Sequence, residues 1–201
     1  LIAVPLLVES LHDKLLKKYA SVKGGNFVLG AGRIISSAGA AVNIEMGPAV
    51  FKKIHEFFGG KMNRMLIGAA PLSPNTFRDF EAFGFKVYCG YGLTETSPVC
   101  IMHDDGNRGF DHIGRPISGV KVRLAETEAE DLTGISGKSR PADVGEIAVR
   151  GPNVMLGYYN DPEATARVIR DGWFYTGDLA TCDENGNYRI VGRIKNMIVT
   201  Q

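Results

Sequence analysis

Apolar residues at helical spacing mark the start of the chain. Leu7, Leu11, Leu15, Leu16 and Tyr19 recur three or four apart with Glu9, Asp13, Lys14, Lys17 and Lys18 between them, and predict an amphipathic helix over the first twenty residues. A stretch rich in Gly, Ala and Ser between Val22 and Gly47 reads as a connector. Val50, Phe51, Ile54, Phe57 and Phe58 then predict a second helix, stopped by Gly59-Gly60. Met65 to Gly68 has strand character. Ser73-Pro74 reads as a helix cap followed by proline in the first turn, with Phe77 and Phe80 facing a core and Gly84 ending the helix. FKVYC at 85–89 is a further short buried strand, so the order strand, helix, strand predicts a parallel α/β layer. His12 and His55 read as helix-surface residues.

Beyond about residue 112 the texture changes to short alternating strands, GVKVRLAE, GEIAVRG and NYRIVG, separated by turn residues. Asn185-Gly186 carries the signature of a type I′ hairpin, and Asp161-Pro162 opens one helix running to about Arg170 before an Asp171-Gly172 turn. The division expected from this pattern is an α/β part over 1–113, a β-rich part over 114–192 and a short stub over 193–201.

Composition narrows the class. The 201 residues are 44% hydrophobic with 23 Lys+Arg against 22 Asp+Glu, as in ordinary globular proteins. A net charge of +1 gives no electrostatic reason to expect nucleic acid. The longest apolar run, LIAVPLLV, is broken by Pro5 and falls short of the roughly 20 residues of a spanning helix. Cys89, Cys100 and Cys182 form neither a disulfide framework nor a CxxC pair, so a reducing, cytoplasmic setting is expected. The charged stretch 126–131 reads as a solvated loop. The chain begins without Met inside an apolar stretch, as the middle of something longer would.

Three strings can carry chemistry. Gly90-Tyr91-Gly92-Leu93-Thr94-Glu95-Thr96-Ser97-Pro98 follows a predicted parallel strand, at the edge where open α/β sheets bind ligands. Its glycines allow close backbone approach, Tyr91 offers a flat face, Thr94 a hydroxyl and Glu95 an oxygen donor for Mg²⁺. The same string also reads as a glycine-rich turn with surface polar residues. In WFYTGDL (173–179), Asp178 has two acceptor oxygens suited to a pair of ribose hydroxyls, or closes a turn beside Gly177. Arg193 and Lys195 share one face of a strand and can reach a ribose or phosphoryl oxygen, or guard a sheet edge. The four histidines have no metal-ligand spacing.

In this order IGAAPLSP, CGYGLTETSP, VGEIAVRGPNVMLGYYNDPEAT, DGWFYTGDL and VGRIKNMIV resemble the adenylate-forming superfamily, and most closely the long-chain fatty-acid–CoA ligases. The resemblance implies part of the large N-terminal domain of an acetyl-CoA-synthetase-like fold, a second α/β subdomain followed by a distorted β-barrel subdomain. It implies ATP, Mg²⁺ and coenzyme A as ligands, and a reaction in which a carboxylate becomes an acyl-adenylate and then a thioester. Carried over to this chain, Ala69, Ala70 and Pro71 line the adenine pocket with Gly90, Tyr91 and Gly92. Thr94 binds the α-phosphate, Glu95 holds Mg²⁺, Asp178 binds the ribose hydroxyls and Arg193 supports ribose and phosphate. Ile190 packs beside the nucleotide, and Lys195 is the hinge for a C-terminal domain. Gly145-Glu146 and Gly157-Tyr158 fall to architecture.

Leu93, Tyr175 and Lys195 stand where peptide-synthetase adenylation domains usually carry Pro, Arg and Asp, which favours the acyl-CoA ligase type. The family's phosphate loop and the catalytic lysine of its C-terminal domain match nothing in the sequence, so the chain is expected to be an excised nucleotide-site segment, inactive by itself. The partners implied are small molecules, with room for peripheral membrane association of the parent protein. An acyl carrier protein as thiol acceptor, or a non-catalytic nucleotide-binding or scaffold module, are the other readings of the same strings.

Overall fold

The computed structural model describes residues 1–21, 30–31, 34, 47–127 and 144–194. Most of the connector expected over 22–47, most of the loop at 126–131 and the hinge residue Lys195 lie outside the described residues. The chain divides into two compact units, Leu1–Cys89 and Gly90–Gln201. The limit expected at 113/114, where the sequence texture changes, falls inside the second unit.

In the first unit, helix α1 (Pro5–Ala20) is followed by two short helices, α2 (Gly47–Val50) and α3 (Lys52–Phe57), and by α4 (Pro74–Ala82). Strands β1 (Ile2–Ala3), β2 (Arg64–Ile67) and the first four residues of β3 (Lys86–Tyr91) are parallel, with Ile2 opposite Leu66 and Met65 opposite Val87. Parallel pairing needs a crossover, and α4 supplies it between β2 and β3. Ser73 caps α4 as its sequence predicts: its Oγ accepts from the Thr76 amide at 3.2 Å, and Pro74 occupies the first turn. Gly84, at φ +95°, ends the segment. Phe51, Phe80, Phe83 and Phe85 are buried together and make the aromatic centre of this unit.

Three expectations fail here. The buried face of α1 is Val8, His12 and Leu15, while Leu7 is exposed, because the stripe is rotated to bring the imidazole inside. His12 Nε2 donates to Asp79 Oδ2 at 2.6 Å, which satisfies the buried ring, and its face lies near Phe80. His55 is likewise interior, donating from Nε2 to the Phe83 carbonyl at 2.8 Å and stacking on Phe85 at 4.3 Å. The second helix is not continuous from Val50 to Phe58: it breaks at Phe51, whose φ and ψ of −106° and 34° leave the helical region, and Phe57 is exposed.

In the second unit, Gly90 and Tyr91 of β3 pair antiparallel with β4 (Ile101–Met102), which pairs with β5 (Arg115–Pro116). A separate antiparallel sheet runs in the order β10 (Tyr188–Arg193), β9 (Trp173–Cys182), β7 (Gly145–Arg150), β6 (Lys121–Ala125), and β8 (Ile169–Arg170) adds to β9. Helix α5 (Pro162–Val168) is capped by Asp161, whose Oδ1 accepts from the Ala164 amide at 2.8 Å. It ends at Val168 rather than Arg170, because Ile169 and Arg170 pair with Phe174 and Trp173.

The type I′ turn also lies elsewhere than expected. Asp171 and Gly172 both have positive φ, +52° and +75°, and join β8 to β9 as a two-residue hairpin. At Asn185-Gly186 only the glycine has positive φ, and the Asp183 amide donates to the Asn187 carbonyl around a three-residue loop.

Candidate functional site

Two bulges place the polar residues of the second unit. Between β7 and β9, Glu146 faces Leu179 while Ala148 faces Tyr175, so β9 spends four steps where β7 spends two. Thr176-Gly177-Asp178 thus stand opposite Ile147 alone, two residues more than regular pairing allows. Gly177 takes φ +75° there, and its amide donates to Glu146 Oε1 at 2.7 Å. Thr176 Oγ1 donates to the Ile147 carbonyl at 3.0 Å and accepts from the Asp178 amide at 3.1 Å. Between β9 and β10, Ile190 faces Ala180 and Gly192 faces Leu179, so Val191 is the extra residue. That one-residue shift sets Arg193 opposite Asp178; without it Gly192 would stand there.

The result is a converged set around Asp178, whose side chain is 11% exposed. Tyr91 donates its hydroxyl to Oδ2 at 2.6 Å, and Arg193 Nε lies 3.4 Å from Oδ1. Burial pushes the Tyr91 phenol well above its ordinary value, and the hydrogen bond to Asp178 pushes it further, so Tyr91 stays a donor. Ile190, partly buried on β10, packs against the apolar cluster of Cys100, Ile101, Val120 and Ile147.

The segment after Tyr91 is equally built. Gly92 has no room for a side chain, since a Cβ would lie 1.9 Å from the Pro98 carbonyl oxygen. A 3-10 turn follows at Thr94–Thr96, where the buried Thr96 accepts from the Leu93 amide at 2.9 Å and donates to the Leu93 carbonyl at 3.0 Å. Thr94 is exposed and Glu95 half-buried. The loop after β7 is stapled to this turn. Asn153 Nδ2 donates to the carbonyls of Thr96 and Val99 at 3.0 and 3.2 Å, the Met155 amide donates to the Glu95 carbonyl at 2.9 Å, and Tyr158 donates to Glu95 Oε1 at 2.9 Å. The Tyr158 phenol is raised, first by burial and then by its bond to Glu95.

Of the residues expected from the sequence, the second unit thus brings together Tyr91, Asp178 and Arg193, with Gly90 and Gly92 flanking Tyr91 and with Thr94 and Glu95 on the adjoining turn. Ala69, Ala70 and Pro71 lie in the first unit, exposed, just beyond the carboxyl end of β2, with Ala69 at φ +73°. Sequence reasoning missed Thr96, Glu146, Asn153 and Tyr158 as holders of these groups. Glu146 and Tyr158 sit inside motifs assigned to architecture, and their partners are distant in sequence.

Residues 2–159 match the model of the AMP-binding enzyme family, and the chain belongs to that family. It is 40% identical over 151 residues to long chain acyl-CoA synthetase 7, peroxisomal, of Arabidopsis thaliana, covering 74% of this chain and 21% of that protein. It is 33% identical to fatty acyl-CoA synthetase A of Dictyostelium discoideum over 98% of this chain and 30% of that protein. Among solved structures, ATP-bound MatB from Rhodopseudomonas palustris superposes with a TM-score of 0.60 at 35% identity, over 76% of this chain and 31% of that one. The fold is therefore that of the adenylate-forming enzymes, and the chain spans under a third of the length of these relatives.

Proposed function

We propose that the protein carrying this chain activates a fatty acid with ATP and passes it to a thiol. The acid's carboxylate attacks the α-phosphate of ATP, forming a P–O bond and expelling pyrophosphate. The thiolate of coenzyme A then attacks the acyl carbon of the adenylate, forming the thioester and releasing AMP. The observation that carries this reading is the Tyr91–Asp178–Arg193 cluster: a nearly buried carboxylate, oriented by a neutral donor and faced by a cation, suits two ribose hydroxyls with a phosphate beyond them. The exposed Thr94 hydroxyl is assigned to the α-phosphate. Lys195 keeps its assignment as hinge on the family resemblance alone.

A Mg²⁺ ion fits the donors. Glu95, half-buried on the turn and next to Thr94 in sequence, supplies a single hard carboxylate, the pattern of a magnesium ion held by one acidic residue and by the substrate's own phosphates. When bound it neutralises charge building on the phosphates.

The likeness to the Arabidopsis long chain acyl-CoA synthetase supports a long-chain acid, and the likeness to the Dictyostelium fatty acyl-CoA synthetase supports a fatty acid of unstated length. A feruloyl-CoA synthase of an Amycolatopsis species is 39% identical over 140 residues, and keeps an aromatic acid as the second reading. The test offers the full-length protein ATP, Mg²⁺, coenzyme A and a panel of fatty and hydroxycinnamic acids, with identification of the thioester by mass. Long-chain acyl-CoA is the expected product. Feruloyl-CoA alone would favour the second reading, and thioester formation only on an acyl carrier protein would change the acceptor.

A further inference from the structure

Glu95 is a half-buried carboxylate on the short Thr94–Thr96 turn. A residue 63 positions away holds it: Tyr158 donates to Glu95 Oε1 at 2.9 Å. We propose that Tyr158 is a positioning residue for the cation that Glu95 binds, holding one carboxylate oxygen so that the other is left for the metal. This rests on the nucleotide-site reading above.

The chemistry of the donor favours this role. A lysine or arginine at 158 would hold the carboxylate by cancelling its charge, and would compete with the cation. A phenol orients the carboxylate and leaves the negative charge in place. Ordering the side chain beforehand removes part of the rotamer entropy that cation binding would otherwise cost.

The loop that carries Tyr158 is built to hold it there. Asn153 and the Met155 amide fasten the loop to the Thr94–Thr96 turn, so the backbone beneath both partners is tied. On the other side the Tyr158 amide donates to Thr165 Oγ1 at 2.9 Å, and Thr165 Oγ1 donates to the Asp161 carbonyl at 2.9 Å, anchoring the loop to α5. Gly157 lies so close to Thr165 that a Cβ would come within 2.8 Å of its Cγ2. Tyr158 is itself exposed at 37%, far less than Leu156 at 103% and Tyr159 at 92%, and its hydroxyl reaches Glu95.

The test measures binding of a non-hydrolysable ATP analogue to the full-length protein by calorimetry, once in EDTA and once in Mn²⁺, with free Mn²⁺ followed by electron paramagnetic resonance. Tyr158→Phe is expected to weaken the Mn²⁺–nucleotide complex by about tenfold, the scale on which partners of metal ligands act. Affinity for the metal-free analogue should stay at the wild-type value. Glu95→Gln should lose at least as much in Mn²⁺, and Tyr158→Phe should add nothing on top of it. Wild-type Mn²⁺ binding in Tyr158→Phe, equal loss in EDTA and Mn²⁺, or full additivity with Glu95→Gln would each overturn the inference while leaving the nucleotide site standing. Failure of the wild-type protein to bind the analogue under either condition would overturn the nucleotide-site reading itself.

Discussion

The hydroxyl of Tyr91 and the carboxylate of Asp178, 87 residues apart in the chain, are joined by a 2.6 Å hydrogen bond. Tyr91 ends the strand that precedes the glycine-rich turn, and Asp178 sits in the bulge of β9, so the bond ties the two motifs richest in candidate chemistry. With Oδ2 engaged by Tyr91, Oδ1 is the oxygen that faces Arg193.

Removing the carboxylate tests this cluster. Asp178→Ala should weaken AMP or ATP binding by about 1–3 kcal/mol, the cost of leaving hydroxyl partners unpaired. Tyr91→Phe keeps the ring and removes only the donor, so its loss should be smaller and should shrink with 2′-deoxy-ATP. Calorimetric titration of the wild-type protein and the two variants with each nucleotide checks both, and equal loss with the two nucleotides would deny that Tyr91 acts through the ribose.

Gly92 should not tolerate alanine. A methyl group placed 1.9 Å from the Pro98 carbonyl oxygen must displace backbone. Gly92→Ala should destabilise the protein by about 2 kcal/mol, within the range for overpacking, and abolish nucleotide binding. Urea denaturation together with nucleotide titration reads both effects, and unchanged values would show that the turn yields freely.

The cap of α4 offers a purely structural test. Ser73→Ala removes the acceptor for the Thr76 amide and the partner of Thr76 Oγ1. A loss of about 1 kcal/mol is expected in chemical denaturation, with no change in nucleotide affinity.

Alkaline pH should unfold the protein in a defined window. Burial raises the Cys89 and Cys100 thiols from 9.0 to about 11, and raises Tyr188 from 10.0 to about 12. Tyr91 is raised as well. Groups whose folded values are raised stabilise fully below their unfolded values and lose that contribution as pH climbs through the folded ones. Stability should therefore be insensitive to these groups below about pH 9 and fall progressively above it. Tyr188→Phe should flatten the part between pH 10 and about 12, which thermal melts across the series would show.

Local grammar was readable in the sequence wherever the interaction is itself local. Ser73-Pro74, Asp161-Pro162 and Gly84 sit at helix ends because a cap or a positive φ depends on neighbours in the chain. The parallel strands around α4 follow from short apolar runs on either side of one helix. Long-range choices were not readable. Whether His12 lies inside or outside depends on Asp79 meeting it, and an imidazole has no periodicity to show this. The dipeptides Asn185-Gly186 and Asp171-Gly172 are equally good type I′ signals, and strand length and pairing decide which one uses that turn. The same holds at the site. Asp178 and Arg193 were visible as candidates, but the extra residue at Val191 that brings them opposite each other shows only in the register. Tyr158 and Glu146 carry ordinary side chains whose meaning comes from what they touch.

The central claim is that this chain forms part of an enzyme that adenylates a carboxylic acid. Exchange of labelled pyrophosphate into ATP by the full-length protein tests it most directly, because the exchange reports the first half-reaction whatever thiol receives the acyl group. Exchange that requires both Mg²⁺ and a fatty acid, and that falls sharply in Asp178→Ala, is the predicted result. Nucleotide binding without acid-dependent exchange, across all acids offered, would contradict the claim and leave a nucleotide-binding module without adenylation.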